Sequence, residues 1–398
     1  MKIVKQKRLR TILLKQTVMF IITLTISGLI SCKNEATAPN KSDFEGEKTW
    51  LEDYEPSPFI WGFMNANGNF TIPPKYDELR DFSDGLAACN LGGKWGYIDP
   101  SGATSVAHQF LTCSDFRGGK ALVQDFKNQY FYIDKKGHKL FLCPGSECSS
   151  FVDGYAFFSK NDLWGVLSDN GFVRIQPQFM DIKSGYEGQF IVKLGQNYGL
   201  IDTNLQWILA PKFNEIKLAN EDKYVVKSEK EIEIVHKNGK TWLSGIQNCS
   251  VFLNAFCIVQ QHKAFQIMNN KGKITYSTPN KLTSLGEQRF AEWVGSTAFI
   301  VNADGNRLTE MEYSGFLVFS EGLIGVLRGE NWTYISLDGK EIFQPALPLA
   351  WDCKERRIRY VSQNGYGFLN AEGIPVIEAS YPEARDFNGG NARVAIFR

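Results

Sequence analysis

The sequence predicts an all-β protein built from ten tandem antiparallel units, and three observations carry that reading. First, a segment best seen as Trp95-Gly96-Tyr97-Ile98-Asp99-Pro100-Ser101-Gly102 recurs along the chain. Its leading position is held by Trp61, Trp95, Tyr130, Trp164, Tyr198, Ile232, Phe265, Ala298, Trp332 and Tyr366. The spacings are 34, 35, 34, 34, 34, 33, 33, 34 and 34 residues, a fixed period of the kind that marks repeat architectures. Second, the residues two and three places further on are apolar in every copy, from Phe63-Met64 to Phe368-Leu369. Neighbouring strand residues point to opposite faces, so each such strand is expected to be buried on both sides, sheet against sheet. Third, Asn, Asp or Ser stands four places on in nine copies, with His236 in the tenth. Gly stands seven places on in nine, with Leu205 the exception. Asx and Ser side chains bond their own backbone to start a turn, and Gly supplies a positive φ. Each strand should therefore end in a short hairpin loop, with Asn204 taking the left-handed position in the copy that has Leu205.

Each unit shows three strands. An approach strand is seen at Leu86-Ala87-Ala88-Cys89 and Tyr155-Ala156-Phe157-Phe158. The signature strand with its Trp-Gly pair follows, and then an exit strand such as Phe70-Thr71-Ile72. A breaker comes next, with Pro74, Pro177, Pro211 or Pro345, and segments such as Phe82-Ser83-Asp84-Gly85 and Phe319-Ser320-Glu321-Gly322 lead into the next approach strand. Whether the breaker forms a fourth strand is open at this level. The position after the leading residue is Gly62, Gly96, Gly165, Gly199 and Gly367 in the better-preserved copies. A strand glycine implies a close approach to the backbone, and an aromatic ring from an adjacent unit is the expected neighbour. Units six to eight keep the apolar columns but lose Trp-Gly and the proline, which reads as drift.

Residues 1–31 are a signal peptide and not part of the fold. Lys2, Lys5, Lys7, Arg8, Arg10 and Lys15 precede an apolar run from Val18 to Ile30 that is short for a membrane span. The run ends in Leu29-Ile30-Ser31-Cys32, which resembles the lipobox of bacterial lipoproteins. That resemblance implies cleavage before Cys32 and its lipidation, with more than one acyl chain for stable anchoring. Residues 32–49 then read as a flexible tether and 50–398 as a single β domain. Removing the signal subtracts six positive charges from a formal +1, and the resulting −5 leaves no basic patch for nucleic acid.

The columns led by Trp61-Gly62-Phe63 and Trp95-Gly96-Tyr97-Ile98-Asp99 resemble the WG-repeat family of bacterial proteins, named for this dipeptide. The same columns run through Trp164-Gly165, Tyr198-Gly199, Trp332 and Tyr366-Gly367. The resemblance implies an all-β repeat protein and transfers no catalytic residue.

The chain ends bear on ring or rod. Asp53, Tyr54, Glu55 and Pro56 stand where the first unit should have its approach strand, while Asn391-Ala392-Arg393-Val394-Ala395-Ile396 is in register as a spare one at the end. A strand missing at the start and spare at the end favours a closed β-propeller-like ring over an open curved β-solenoid.

No convergent chemistry stands out. His108, His138, His236 and His262 lie in separate units without metal-ligand spacing, and Asp99, Asp134 and Asp202 follow a turn-forming pattern. No phosphate loop, zinc-binding helix or nucleophile elbow occurs. Of the cysteines after Cys32, only Cys143 and Cys148 suggest a local disulfide, and Cys89 and Cys257 read as buried fillers. The expected function is a membrane-anchored, extracytoplasmic, non-enzymatic scaffold of the cell envelope. It would act as a monomer that binds a protein or glycan partner and uses no cofactor or metal. The alternative is a glycan-active propeller enzyme with carboxylates converging in a central funnel.

Overall fold

The computed structural model describes residues 54–220, 222–250 and 252–398, and every regular element among them is a β-strand. The expected signal peptide and tether, with Cys32 and Asp53, lie outside the described residues. The strands form ten small antiparallel sheets in a ring, a ten-bladed β-propeller.

Blade two shows the full pattern: Glu78–Ser83, Leu86–Leu91, Lys94–Ile98 and Thr104–Phe110, paired in that order. The last three are the approach, signature and exit strands. The first is a fourth, leader strand, joined to the preceding exit strand Phe70–Tyr76 by Asp77 alone. The proline breaker is therefore not a break. Pro74, Pro177 and Pro211 lie inside the exit strands Phe70–Tyr76, Val173–Phe179 and Trp207–Phe213. Blade eight has three strands, with isolated bridges Val301–Arg307 and Ala298–Tyr313 in place of an exit strand, and blade ten forms no leader strand.

Blade one closes the ring. Its leader and approach strands are Glu383–Ala384 and Asn391–Phe397, from the end of the chain, while its signature and exit strands are Phe59–Asn65 and Phe70–Tyr76. The register is unbroken over seven pairs, from Phe59 opposite Phe397 to Asn65 opposite Asn391. Residues 54–57 form no strand, in keeping with the acids and proline there. The terminal residue adds two ties: Arg398 N–H donates to Pro58 O at 3.0 Å, and its guanidinium pairs with the buried Asp77.

The apolar columns become the ring's glue. The residue two places into each signature motif packs towards the following blade, and the residue three places in packs towards the preceding one. Phe63 joins Leu79, Ala87 and Ile98 of blade two, whereas Met64 joins Phe368 and Ile377 of blade ten. The same alternation places Tyr97 with Phe116 and Val123 of blade three, and Ile335 with Ala291 and Ile300 of blade eight. Ten sheets in an open row have nine interfaces. Here there are ten clusters, and the tenth, built on Met64, Phe368, Ala392 and Val394, exists only because the ring is closed. Each large side chain so buried contributes about 1.5–3 kcal/mol.

The strand glycine has a different neighbour from the one expected. A Cβ on Gly62 would stand 2.5 Å from Ile72 O and 2.7 Å from Pro74 N, so backbone rather than a ring from another unit fills its space. The pairing shows why. Trp61 faces Tyr76 and Phe63 faces Ile72, so three exit-strand residues bulge over the single Gly62. The same offset recurs opposite Gly96, Gly165, Gly199 and Gly367. Rings of the same blade, Phe158 at Gly165 and Trp207 at Gly199, crowd in as well. Thr333 keeps this register in blade nine without a glycine.

The hairpins form as expected, with Asp99 Oδ1 accepting the N–H groups of Ser101 at 2.9 Å and Ala103 at 3.1 Å. The exceptional copy differs in detail. Leu205 itself takes φ +63°, because Asn204 is held by its N–H bond to Asp202 Oδ1 at 2.8 Å.

Candidate functional site

The leader strands carry the polar chemistry. Exit strands expose apolar side chains such as Phe70, Val173 and Trp207, whereas arginine and aspartate stand on the leader strand of blade two, at Arg80 and Asp81, and just after those of blades one and three, at Arg385 and Asp386 and at Asp115 and Arg117. Arg80 lays its guanidinium over the Trp95 ring at 4.6 Å, and Arg385 does the same over Trp61 at 5.0 Å. In blade five Lys183 stands 5.6 Å over Tyr198. The leading aromatic of the signature is thus a platform for a cation as well as a core residue.

Three arginines also reach across blade interfaces in one geometry. Arg359 of blade ten pairs with Asp386 of blade one at 3.0 Å and donates to Ala384 O. Arg393 of blade one pairs with Asp81 of blade two at 2.6 Å and donates to Leu79 O. Arg80 of blade two donates to Cys113 O at 3.0 Å and stands 3.6 Å from Asp115 of blade three. These latches occupy consecutive interfaces on and beside the closing blade. Burial pushes the Asp386 carboxyl up against the pull of Arg359, and it lowers Arg359 in turn. Trp351 at 4.6 Å and Tyr366 at 5.9 Å flank that guanidinium.

Where this arc ends, blades two, three and four enclose a cleft of about 420 Å³. Arg80, Asp115 and Arg117 give it charge, Ser114, Ser149 and Ser150 line it with hydroxyls, and Val152 and Phe157 give it an apolar wall. The backbone here is pinned from below. Tyr97 and Tyr132, the residues two places into their signatures, donate their hydroxyls to Ser114 O and Ser149 O, each at 2.7 Å. Burial raises both phenols, so they remain donors.

Comparison with known families agrees with the repeat. The family model described as WG containing repeat matches residues 61–95, 95–125, 130–164, 198–230 and 366–396. The chain is a WG-repeat protein. No curated protein matches its sequence. Among solved structures, it is similar to a eukaryotic initiation factor at 14% identity, covering 73% of this chain and 96% of that one, with a TM-score of 0.44. It is also similar to BamB from Moraxella catarrhalis at 10% identity, covering 81% and 94%, with a TM-score of 0.29. For Hsv2 of Kluyveromyces lactis the values are 8% identity, 62% and 91% coverage and a TM-score of 0.32.

The WG-repeat windows include Arg80, Ser114, Asp115 and Arg117, yet these positions lie between the signature segments, where the sequence pattern is weakest. The sequence motifs pointed instead at the signature residues. Trp61, Trp164, Tyr198, Trp332 and Tyr366 are half-buried and Trp95 is buried, each packed towards the following blade. A hint of the blade-to-blade stitching was present in the segment Phe82-Ser83-Asp84-Gly85. Asp84 accepts the Gly119 N–H at 2.6 Å and pairs with Lys135 at 2.8 Å, and Glu321 likewise accepts Glu355 N–H at 2.6 Å.

Cys143 and Cys148 form a disulfide, with Cα atoms 6.1 Å apart. It links the end of the short exit strand Lys139–Leu142 to the leader strand Glu147–Cys148 of the next blade. Cys89 and Cys257 are free and buried. One pairing went unread in the sequence: Cys89 Sγ lies 3.2 Å from His108 Nε2, whose ring stacks on Tyr76 of blade one. Burial pushes this thiol up to about 12, so it stays protonated beside the imidazole. His138 and His236 approach Asp134 and Asp222, and no group of three or more His, Cys, Asp or Glu converges among the described residues.

Proposed function

We propose that this WG-repeat ring is a non-enzymatic binding scaffold of the bacterial cell envelope, anchored through a lipidated Cys32 and presenting its leader-strand edge to a protein or glycan partner. The observation that carries the reading is the cleft between blades two, three and four. It combines charge, hydroxyls and an apolar wall on a body closed by ten packed interfaces. A pre-formed site of this make-up favours recognition, since little ordering is left to oppose binding. The carboxylates of the arc also support a binding role over catalysis. Asp81, Asp115 and Asp386 each pair with a guanidinium across a blade interface, and no two of these three pair with each other.

The test is a pull-down from envelope extracts with the mature chain, run beside a glycan array and repeated with Arg80→Ala. Retention of a partner that Arg80→Ala loses supports the scaffold. Equal retention by both proteins places recognition elsewhere on the ring. Turnover of an arrayed glycan would replace the reading with the enzymatic one. Cys32→Ser tests the anchor separately: it should release the protein from the membrane fraction and abolish palmitate labelling, and unchanged labelling would remove the lipid from the proposal.

A further inference from the structure

We propose that the cleft between blades two, three and four binds the carboxylate of a uronic-acid sugar. The inference rests on the scaffold reading and names the chemistry of its ligand.

Charge comes first. Arg80 and Arg117 face one acid, Asp115, so the cleft carries a single net positive charge. That matches one carboxylate and leaves a phosphate, near two negative charges, uncompensated. The two guanidiniums play different parts. Arg80 is held in place by the Trp95 face at 4.6 Å and by its bond to Cys113 O, so its remaining N–H groups are fixed in direction. Arg117 is exposed, and its guanidinium has no hydrogen-bond or ion-pair partner among the described residues. A planar fork of donors suits a carboxylate in a way that a lysine ammonium does not.

The remaining lining points to a polyol. The hydroxyls of Ser114 and Ser149 are already engaged, each donating to the next residue's carbonyl, at 3.0 Å and 2.9 Å. Ser150 keeps its hydroxyl uncommitted among the described residues. Asp115 Oδ1 is buried beside Arg80, so the other oxygen, on a side chain 39% exposed, is the free acceptor. A hydroxyl donor for Asp115, an acceptor for Ser150 and an apolar ring face for Val152 and Phe157 are features of one pyranose. An acidic peptide fits less well. The leader strands here, Thr112–Cys113 and Glu147–Cys148, are two residues long and give a peptide backbone no edge to extend.

The experiment is calorimetric titration of the mature protein with trigalacturonate, trigalactose, a tri-glutamate peptide and inorganic phosphate. Trigalacturonate is expected to bind at least about tenfold more tightly than the other three, a difference of about 1.4 kcal/mol. Arg117→Gln should lose about tenfold of that affinity, with partial recovery in Arg117→Lys, and Ser150→Ala should lose a few-fold. Arg117 is exposed, so its variants leave the fold intact, and thermal melts check this. Equal binding of trigalactose, tighter binding of the peptide or of phosphate, or an unchanged Arg117→Gln would overturn the proposal. The scaffold reading fails separately: a partner from envelope extract that Arg117→Gln still retains leaves it standing while the uronate assignment falls.

Discussion

Blades one, two, four, five and ten differ from blades six to eight in one backbone feature, and the difference explains why two sequence marks disappear together. In the first group a glycine follows the leading aromatic, and three exit-strand residues arch over it. In blade six that place is Glu233, and only two residues, Ser244 and Gly245, lie opposite. Blade seven has Gln266 there and pairs regularly, with Gln266 facing Ser277. Blade eight has Phe299 and forms no exit strand. In these five blades the glycine leaves room for the arching carbonyl, while Thr333 of blade nine stands under the same offset with a side chain. Blades six to eight are not simply decayed, then. They keep both apolar columns, and with them both interfaces, while blades six and seven adopt flatter exit strands and blade eight forms none among the described residues. Interface packing and exit-strand shape are separable.

Four outcomes are expected of the two groups of blades, and the largest concerns closure. Deleting Ala392 to Arg398 removes the approach strand of blade one and the fully buried Ala392, Val394 and Ala395, and it uncovers Met64. Domain stability is only about 5–15 kcal/mol, so the truncation should leave aggregated or unfolded protein by sizing chromatography. A soluble truncation with an unshifted melt would mean that the tenth interface contributes nothing.

Next in size is the glycine itself. Gly62→Val puts a side chain 2.5 Å from Ile72 O, so the exit strand must shift towards the form that accommodates Thr333 in blade nine, at a cost of about 1–3 kcal/mol in urea unfolding. In blade seven the corresponding Gln266→Val meets no arch and removes a buried amide oxygen that lacks a partner, so its cost should stay within about 0.5 kcal/mol. Similar losses at both sites would separate the glycine from the arch.

The latches come third. Arg393→Met strands Asp81 at the blade one–two interface and should cost about 2 kcal/mol, with part restored when Asp81→Asn is added. Lys217, in the leader strand of blade six, pairs with Glu215 at 2.8 Å on a more exposed surface. Lys217→Met should change stability by no more than about 0.5 kcal/mol.

The smallest effect is a pH dependence. The Lys135 ammonium, and after it the Gly119 amide, hold the Asp84 carboxyl below its usual range. A depressed carboxylate adds stability above its unfolded pKa of about 3.9 and loses it as pH falls through the folded value. Wild type should therefore lose stability more steeply than Asp84→Asn as the solution is acidified below about pH 5. Between blades seven and eight, Asn254 makes the equivalent bond to Glu287 N–H at 3.0 Å without a charge. Asn254→Ser should leave the acid limb of the stability curve unchanged.

Legible in the sequence is whatever each unit repeats within its own few residues. The period, the turn built on Asx and Gly, and the two adjacent apolar columns are local and occur ten times over, so their common cause stands out from the variation. The spare strand at Asn391–Ile396 made closure legible too, because its register could be read against the other copies. The tertiary structure decided what depends on how one blade lies on the next. The arch over Gly62 is invisible in sequence because proline, read alone, signals a break, whereas on an exit strand it fits a bulge that needs no N–H donor there. The leader strands are too short and irregular to show a period, down to two residues at Thr112–Cys113. The cleft draws Arg80, Arg117 and Ser150 from three successive units, at positions that differ from copy to copy. Only the packing of blade on blade brings such side chains to one place, and no single unit carries the pattern.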